Sequence, residues 1–315
     1  LAKSHKDDLQ IDSVTKYKPL DYTWAWVNYI DTSTDSLSGT RIISDIAVDQ
    51  ADNVYVVGYY DHPSEIGRSG ASNQDDDTLA FEPGYVWDDT TSKTVFVSKF
   101  EPEGRCMWTN KSTVTNVDQS SQKILVHRDH VYTLNVADDL RFNSQSLSGV
   151  CVDRFDQTTG DILKSLSYSN DNTQTEPTDG WNLTVTDFKI SDREMILITG
   201  TCTGKGLVSD NVTFTNKFGI PETDETIGYV AFIPTFMETG KLSFTTTTNP
   251  TSTSVKFNAS LIDYSTGLHM VIGTVNNWIS GQTVTAGFGS PTDVINISKP
   301  INTYNNVTFA LTYEL

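Results

Sequence analysis

Residues 45–60 read Asp-Ile-Ala-Val-Asp-Gln-Ala-Asp-Asn-Val-Tyr-Val-Val-Gly-Tyr-Tyr. Two apolar runs flank a polar stretch, Asp49–Asn53, which is the pattern of a β-hairpin. The second run, Val54–Tyr60, is apolar at successive rather than alternate positions, so both faces of that strand are expected to be covered. A sheet covered on both faces needs a neighbour on each side. The chain supplies such neighbours by repetition.

The same shape returns as Lys123-Ile-Leu-Val-His-Arg-Asp-His-Val-Tyr-Thr-Leu-Asn135, as Phe188-Lys-Ile-Ser-Asp-Arg-Glu-Met-Ile-Leu-Ile-Thr-Gly200, and as Ser260-Leu-Ile-Asp-Tyr-Ser-Thr-Gly-Leu-His-Met-Val-Ile-Gly273. With Gly58, Asn135, Gly200 and Gly273 taken as equivalent, the spacings are 77, 65 and 73 residues. A second two-strand block follows each hairpin after a loop. It runs from Val95 to Trp108 in copy one, from Cys151 through Gly160 to Leu163 in copy two, and from Val230 through Gly240 to Phe244 in copy three. Copy four has only Phe309-Ala-Leu-Thr-Tyr313 before the chain stops at Leu315. The missing outer strand has a counterpart at the other end, because Tyr22-Thr-Trp-Ala-Trp-Val-Asn-Tyr-Ile30 resembles the strand that carries Trp108 and has no hairpin before it.

Thr, Val, Tyr and Phe dominate the periodic segments, and no long helical stripe is present. The expectation is therefore an all-β, β-propeller-like domain over 22–315, of about four long blades, preceded by an extended arm over 1–21. The ring is expected to close by pairing of the N- and C-terminal strands, with Trp24, Trp26, Phe309 and Tyr313 as the closure residues. In a variant, the same strand completes the sheet of a neighbouring copy by β-augmentation. The loops at 61–94 and 274–305 are long enough to be binding elements or extra edge strands.

The Asp-Ile-Ala-Val-Asp…Asn-Val-Tyr-Val-Val-Gly-Tyr stretch at 45–59, with Val-Phe-Val-Ser-Lys-Phe…Gly…Trp at 95–108, resembles the SBBP-type β-propeller repeats of surface proteins. Copies two to four keep the apolar pattern but lose the Asn-Val-Tyr-Val signature and the closing Trp. The resemblance implies a blade architecture and an extracellular scaffold or adhesion role. It implies no particular reaction.

Charge narrows the partners. The 22 Lys and Arg against 40 Asp and Glu give a net charge of −18, which repels nucleic acid and anionic lipid. No apolar run approaches the ~18 residues of a membrane span, and no leader opens the chain, whose start at Leu1 without a Met leads us to expect a processed mature chain or a fragment whose leader is already gone.

Chemistry-bearing motifs are sparse. Cys106, Cys151 and Cys202 allow at most one internal bridge, with three pairings open, or else are buried apolar residues. Of His5, His62, His127, His130 and His269 only His127 and His130 are close, and a hairpin spacing does not give the shared face of a metal site. Asp153, Asp156 and Asp161 around Gly160 read as turn formers rather than as a calcium loop. No nucleophile elbow, zinc-protease motif or phosphate loop occurs, and no cofactor is expected.

Asn-x-Ser/Thr sequons stand at Asn110, Asn182, Asn211, Asn258, Asn296 and Asn306, about as many as this composition gives by chance, but mostly at strand or loop boundaries where a glycan can project. The function expected is thus an extracellular or cell-surface structural glycoprotein, a subunit of an appendage, filament or matrix, that associates with itself or with other surface proteins. A carbohydrate-binding module using Trp87, Trp181 and Trp278 is the second reading, and a propeller hydrolase or lyase the third.

Overall fold

The computed structural model describes residues 26–32, 40–61, 64–70, 86–87, 93–114, 116–142, 147–170, 183–191, 193, 195–203, 207–208, 213–218, 226–235, 239–247, 254–263, 265–266, 268–277, 283–287, 294–298 and 306–314. The arm over 1–21, Trp24, Trp181, Trp278, Asn182, Asn211, His5 and His62 lie outside them. All regular structure among the described residues is β.

Strand β1 (Trp26–Thr32) precedes the first copy, whose hairpin is β2 (Arg41–Val48) and β3 (Val54–Tyr60). Its loop holds β4 (Ser64–Gly70) and β5 (Val86–Trp87), and its second block is β6 (Lys93–Phe100) and β7 (Cys106–Val114). Copy two is β8 (Asn116–His127), β9 (His130–Leu140), β10 (Leu147–Asp156) and β11 (Ile162–Asn170). Copy three is β12 (Leu183–Ile190) and β13 (Met195–Thr203), then β14 (Leu207–Val208) and β15 (Thr213–Phe218) in the loop, then β16 (Thr226–Pro234) and β17 (Thr239–Thr247). Copy four is β18 (Ser254–Asp263) and β19 (Leu268–Asn276), a loop with β20 (Thr283–Gly287) and β21 (Val294–Ser298), and finally β22 (Val307–Glu314).

Each copy makes one antiparallel sheet. Sheet one is β2-β3-β6-β7; sheet two is β8-β9-β10-β11 with β14 on its outer edge; sheet three is β12-β13-β16-β17 extended by β20 and β21; sheet four is β18-β19-β22. Strand β15 adds to β17 in parallel. The long loops therefore supply edge strands, which cover hydrogen-bonding groups that would otherwise template association.

A common local geometry marks the repeats. Gly58, Gly200 and Gly273 each lie under an aromatic ring, that of Phe96, Tyr229 and Phe309 respectively. At Gly273 an added Cβ would sit 2.6 Å from Phe309 Cζ and 2.8 Å from the Lys256 carbonyl, so only a residue without a side chain fits. Opposite these glycines stand Ile43, Val185 and Phe257, each followed by a one-residue bulge at Ser44, Thr186 and Asn258.

The sheets pack in chain order. Tyr55, Val57, Val95, Val97 and Trp108 of sheet one meet Ile124, Val131, Cys151 and Phe155 of sheet two. The other face of sheet two, with Tyr132, Leu134, Val152 and Leu166, meets Phe188, Ile198, Tyr229 and Ile233 of sheet three. Leu197, Val230 and Phe232 on the far side of sheet three meet Phe257, Ile262, Val271 and Leu311. Successive apolar positions along β9, β10, β13 and β16 are thus accounted for, since each face serves a different neighbour; on β3, Tyr55 and Val57 face sheet two, while Val56 and Tyr60 are buried with Phe96 and Phe100 of β6. Each fully buried Val, Leu or Ile contributes roughly 1.5–3 kcal/mol.

The expected closure by the chain ends is not what the strands do. Strand β1 pairs with β4, Trp26 opposite Gly70 and Thr32 opposite Ser64, in a separate three-stranded sheet with β5. Strand β22, which carries Phe309 and Tyr313, pairs with β19. Among the described residues no closed ring is seen, and sheet four has three strands. The physical reason is local: β4 offers seven residues of antiparallel register to β1 close by in sequence, at a small cost of loop closure.

Candidate functional site

Two kinds of place bear on function, the polar seams between sheets and the faces left over at the ends of the stack. The most elaborate seam lies between sheets one and two. Asp49 opens the β2–β3 turn and accepts hydrogen bonds from the Ala51 and Asn53 amides (2.8 and 2.9 Å), the Asn53 side chain (2.8 Å) and the Tyr55 hydroxyl (2.9 Å). Partial burial pushes its acidity the other way, yet these donors hold the carboxyl below the usual range. Gln157, on the Gly160 turn of sheet two, donates to Asp49 Oδ2 (2.8 Å) and to the Tyr55 hydroxyl (3.0 Å). Its carbonyl accepts from Trp108 Nε1 (3.2 Å) and Lys99 Nζ (3.1 Å).

Gly160, at φ +79°, lies flat against the Trp108 indole, where a Cβ would come within 2.7 Å of the ring, and its carbonyl accepts from Asn110 Nδ2. The signature residues of copy one, Asp49, Asn53, Tyr55 and Trp108, are therefore a clamp on the next repeat. Asp156 caps the clamped turn through the Thr158 and Thr159 amides (both 2.8 Å), and Asp161 accepts from the Thr159 hydroxyl. Both act as the turn formers expected.

Asp153 does not. It lies within β10 and is fully buried between sheets one and two. Its Oδ1 accepts from Ser165 (2.6 Å), while Oδ2, the Thr133 hydroxyl and Asn135 Nδ2 meet no hydrogen-bond partner among the described residues. Burial pushes the Asp153 carboxyl up to about 7. The signal was available: Asp153 alternates with Cys151 and Phe155 on one face of a strand that is apolar, and so buried, on both faces. A polar chain runs beside it, from Ser44 to Gln122 (2.5 Å) and from Gln122 to Asn135 (2.9 Å).

The seam between sheets three and four holds a half-buried carboxylate beside a buried histidine. Asp187 accepts from the Ser260 amide and hydroxyl (2.9 Å each) and pairs with Lys189. His269, buried nearby, packs edge-on against Phe232 at 5.9 Å, and burial with help from Lys189 lowers its pKa to about 4 against the pull of Asp187. The sequence showed a histidine in an apolar strand but not the neighbours that desolvate it.

Other candidate groups are dispersed. Cys106, Cys151 and Cys202 are free thiols; burial pushes Cys106 up to about 11, Cys202 up to about 12 and Cys151 well above its ordinary value. His127 and His130 face each other across the β8–β9 turn. Among the described residues no three His, Cys, Asp or Glu side chains are grouped to hold a metal ion.

Of the sequons, Asn258 and Asn306 are exposed, whereas Asn110 is turned into the sheet-one seam and Asn296 is placed only as a position in β21. Trp87 is placed in β5. The structure does not bring Asn110, Asn258 and Asn306 together, and β1, which carries Trp26, and β22, which carries Phe309, pair with different strands.

The end faces are apolar. On β2, Ile43, Ile46 and Val48 are exposed; on sheet four, so are Leu261, Leu268, Met270 and Ile272. No protein-family model matches the chain, and no curated protein is similar to it.

Proposed function

We propose that the chain is an extracellular structural and interaction protein, a propeller-like array of four sheets that works by association through its surfaces rather than by catalysis. One observation carries this reading: both terminal sheets expose rows of large apolar side chains, on β2 and on β18–β19. A repeat array that acts alone needs polar outer faces at its ends, and contiguous exposed apolar residues mark association sites. The buried groups support it from the other side. Asp153, His269, Cys151 and Cys202 sit in seams where no solvent-borne substrate reaches them.

The acidic charge, the exposed sequons at Asn258 and Asn306, and the SBBP-like signature at 45–59 and 95–108 favour a surface or matrix setting with self-association or other surface proteins as partners. The test is light scattering with negative-stain imaging of the native material before and after enzymatic deglycosylation. Regular assemblies that carry glycan mass are expected; a single chain without glycan at every accessible concentration sinks the reading.

A further inference from the structure

We infer that the exposed face of sheet four on one copy receives strand β2 of a second copy, so that the chain associates head to tail by repeating the packing it already uses internally. This rests on the association reading above and names its partner and its register.

The argument is positional. At each internal junction the first strand of the following sheet lies on the preceding sheet: β8 on β2 and β3, β12 on β8, β9 and β10, and β18 on β12, β13, β16 and β17. Counting from the aligned glycines and their cross-strand partners, Ile43 of β2 corresponds to Val185 and Phe257, Ile46 to Ile124, Phe188 and Ser260, and Val48 to Val126, Ile190 and Ile262. Val185, Phe257, Ile124, Phe188, Ile190 and Ile262 are buried to 7% exposure or less against the sheet before them, and Ser260 and Val126 are half-buried, whereas Ile43, Ile46 and Val48 are exposed by 52%, 59% and 56%. Among the described residues no other sheet packs on this side of β2, although Val56, Tyr60, Phe96 and Phe100 farther across the same face are buried, so the seat is open along β2 alone, and β2 carries the apolar side chains that such a seat requires.

The receiving side answers in kind. Met270 and Ile272 correspond to Tyr55 and Val57 in sheet one, Tyr132 and Leu134 in sheet two, and Leu197 and Thr199 in sheet three, all buried under the sheet that follows. In sheet four they are 36% and 39% exposed, with Leu261 opposite Met270 and with Ala259 and Ala310 flanking Ile272.

Polar contacts at the seams sharpen the match. Asp45 and Asp187, at equivalent positions, accept the amides of Ile124 and Ser260 across the first and third junctions. The second junction has Lys123 at that position and is apolar apart from the bond that Arg154 donates to the Thr235 carbonyl (2.8 Å). Sheet four has Ala259 there, so the inferred junction is of the second kind. The two surfaces differ, so the contact is heterologous, and it closes into a ring or continues as a filament according to the rotation per junction.

Complementation tests this. A head variant, Ile46→Asp with Val48→Asp, and a tail variant, Met270→Asp with Ile272→Asp, are prepared unglycosylated and their masses measured alone and mixed by light scattering. The wild-type chain is expected to associate, each variant alone to remain a single chain, and an equimolar mixture to form a two-chain species through its one intact head and one intact tail. Pairing in the mixture also proves both variants folded. If the variants associate as wild type does, this junction is wrong while association as such stands. A single-chain mixture of variants with unchanged melting temperatures, beside an associating wild type, also overturns the junction. A wild type that stays a single chain, its melting temperature lowered by either variant, shows the ends meeting within one molecule and overturns it too.

Discussion

The first and second junctions of the stack solve the same packing problem with different chemistry. Between sheets one and two, a glycine turn is held by Trp108, Tyr55, Lys99 and Asp49 through directional hydrogen bonds. Between sheets two and three, the contact is a broad apolar cluster including Leu134, Val152, Leu166, Ile198 and Tyr229, with one bond from Arg154 to the Thr235 carbonyl (2.8 Å) beside it. The difference explains why the repeat signature is strong once and faint afterwards. Directional bonds demand particular residues at particular positions, while an apolar contact accepts any side chains of suitable volume. The signature therefore records a way of joining repeats, and its loss in copies two to four does not mean loss of the fold.

Breaking each junction in turn should show this. The largest effect is expected from Trp108→Ala, which removes the indole under Gly160 and its bond to Gln157; a loss of about 3–5 kcal/mol is anticipated in urea denaturation. Leu166→Ala in the apolar junction is expected to cost about 2–5 kcal/mol, but Leu166→Met should recover most of it, whereas Trp108→Phe should recover little of the hydrogen-bonded part. Equal rescue at both sites would erase the distinction drawn here.

A second, smaller effect depends on pH. Asp153 titrates near 3.8 when unfolded and at about 7 when folded, so the folded state holds the proton more tightly and stability falls as pH rises between those values. His269 acts in the opposite sense: its folded pKa of about 4 lies below the unfolded 6.5, so stability is lost as pH falls from 6.5 towards 4. Asp153→Asn should remove the first slope and leave the second, raising the melting temperature at pH 8 more than at pH 4. A variant whose gain is the same at both values would show that Asp153 does not carry a buried proton. The smallest change is expected from Asp45→Ala, about 0.5–2 kcal/mol for the amide of Ile124 left without its carboxylate, measured as a shift of the urea midpoint.

The hairpins were legible in the sequence because a strand covered on both faces must be apolar throughout while its turn stays polar. The stretches at 45–60, 123–135, 188–200 and 260–273 all fall on observed strand pairs. What strand β1 would pair with was not legible. Pairing edges are made of backbone groups, which are the same in every residue, so the aromatic pattern of Tyr22–Ile30 marks a strand but not its partner. The buried Asp153 was masked by its company, since Asp156 and Asp161 nearby do form the turn. The seam residues Asp45 and Asp187 gave no signal at all, because their partners are backbone amides of a different repeat, 79 and 73 positions away.

The chain leaves sheet four after β19, adds β20 and β21 to the edge of sheet three, and only then returns with β22. Under mechanical load this lacing matters. A pull on the C-terminus must peel β22 from sheet four, then β21 and β20 from sheet three, before β19 is freed, so tension alternates between two sheets instead of unravelling one. The last two repeats should therefore yield together, as a single extensible unit.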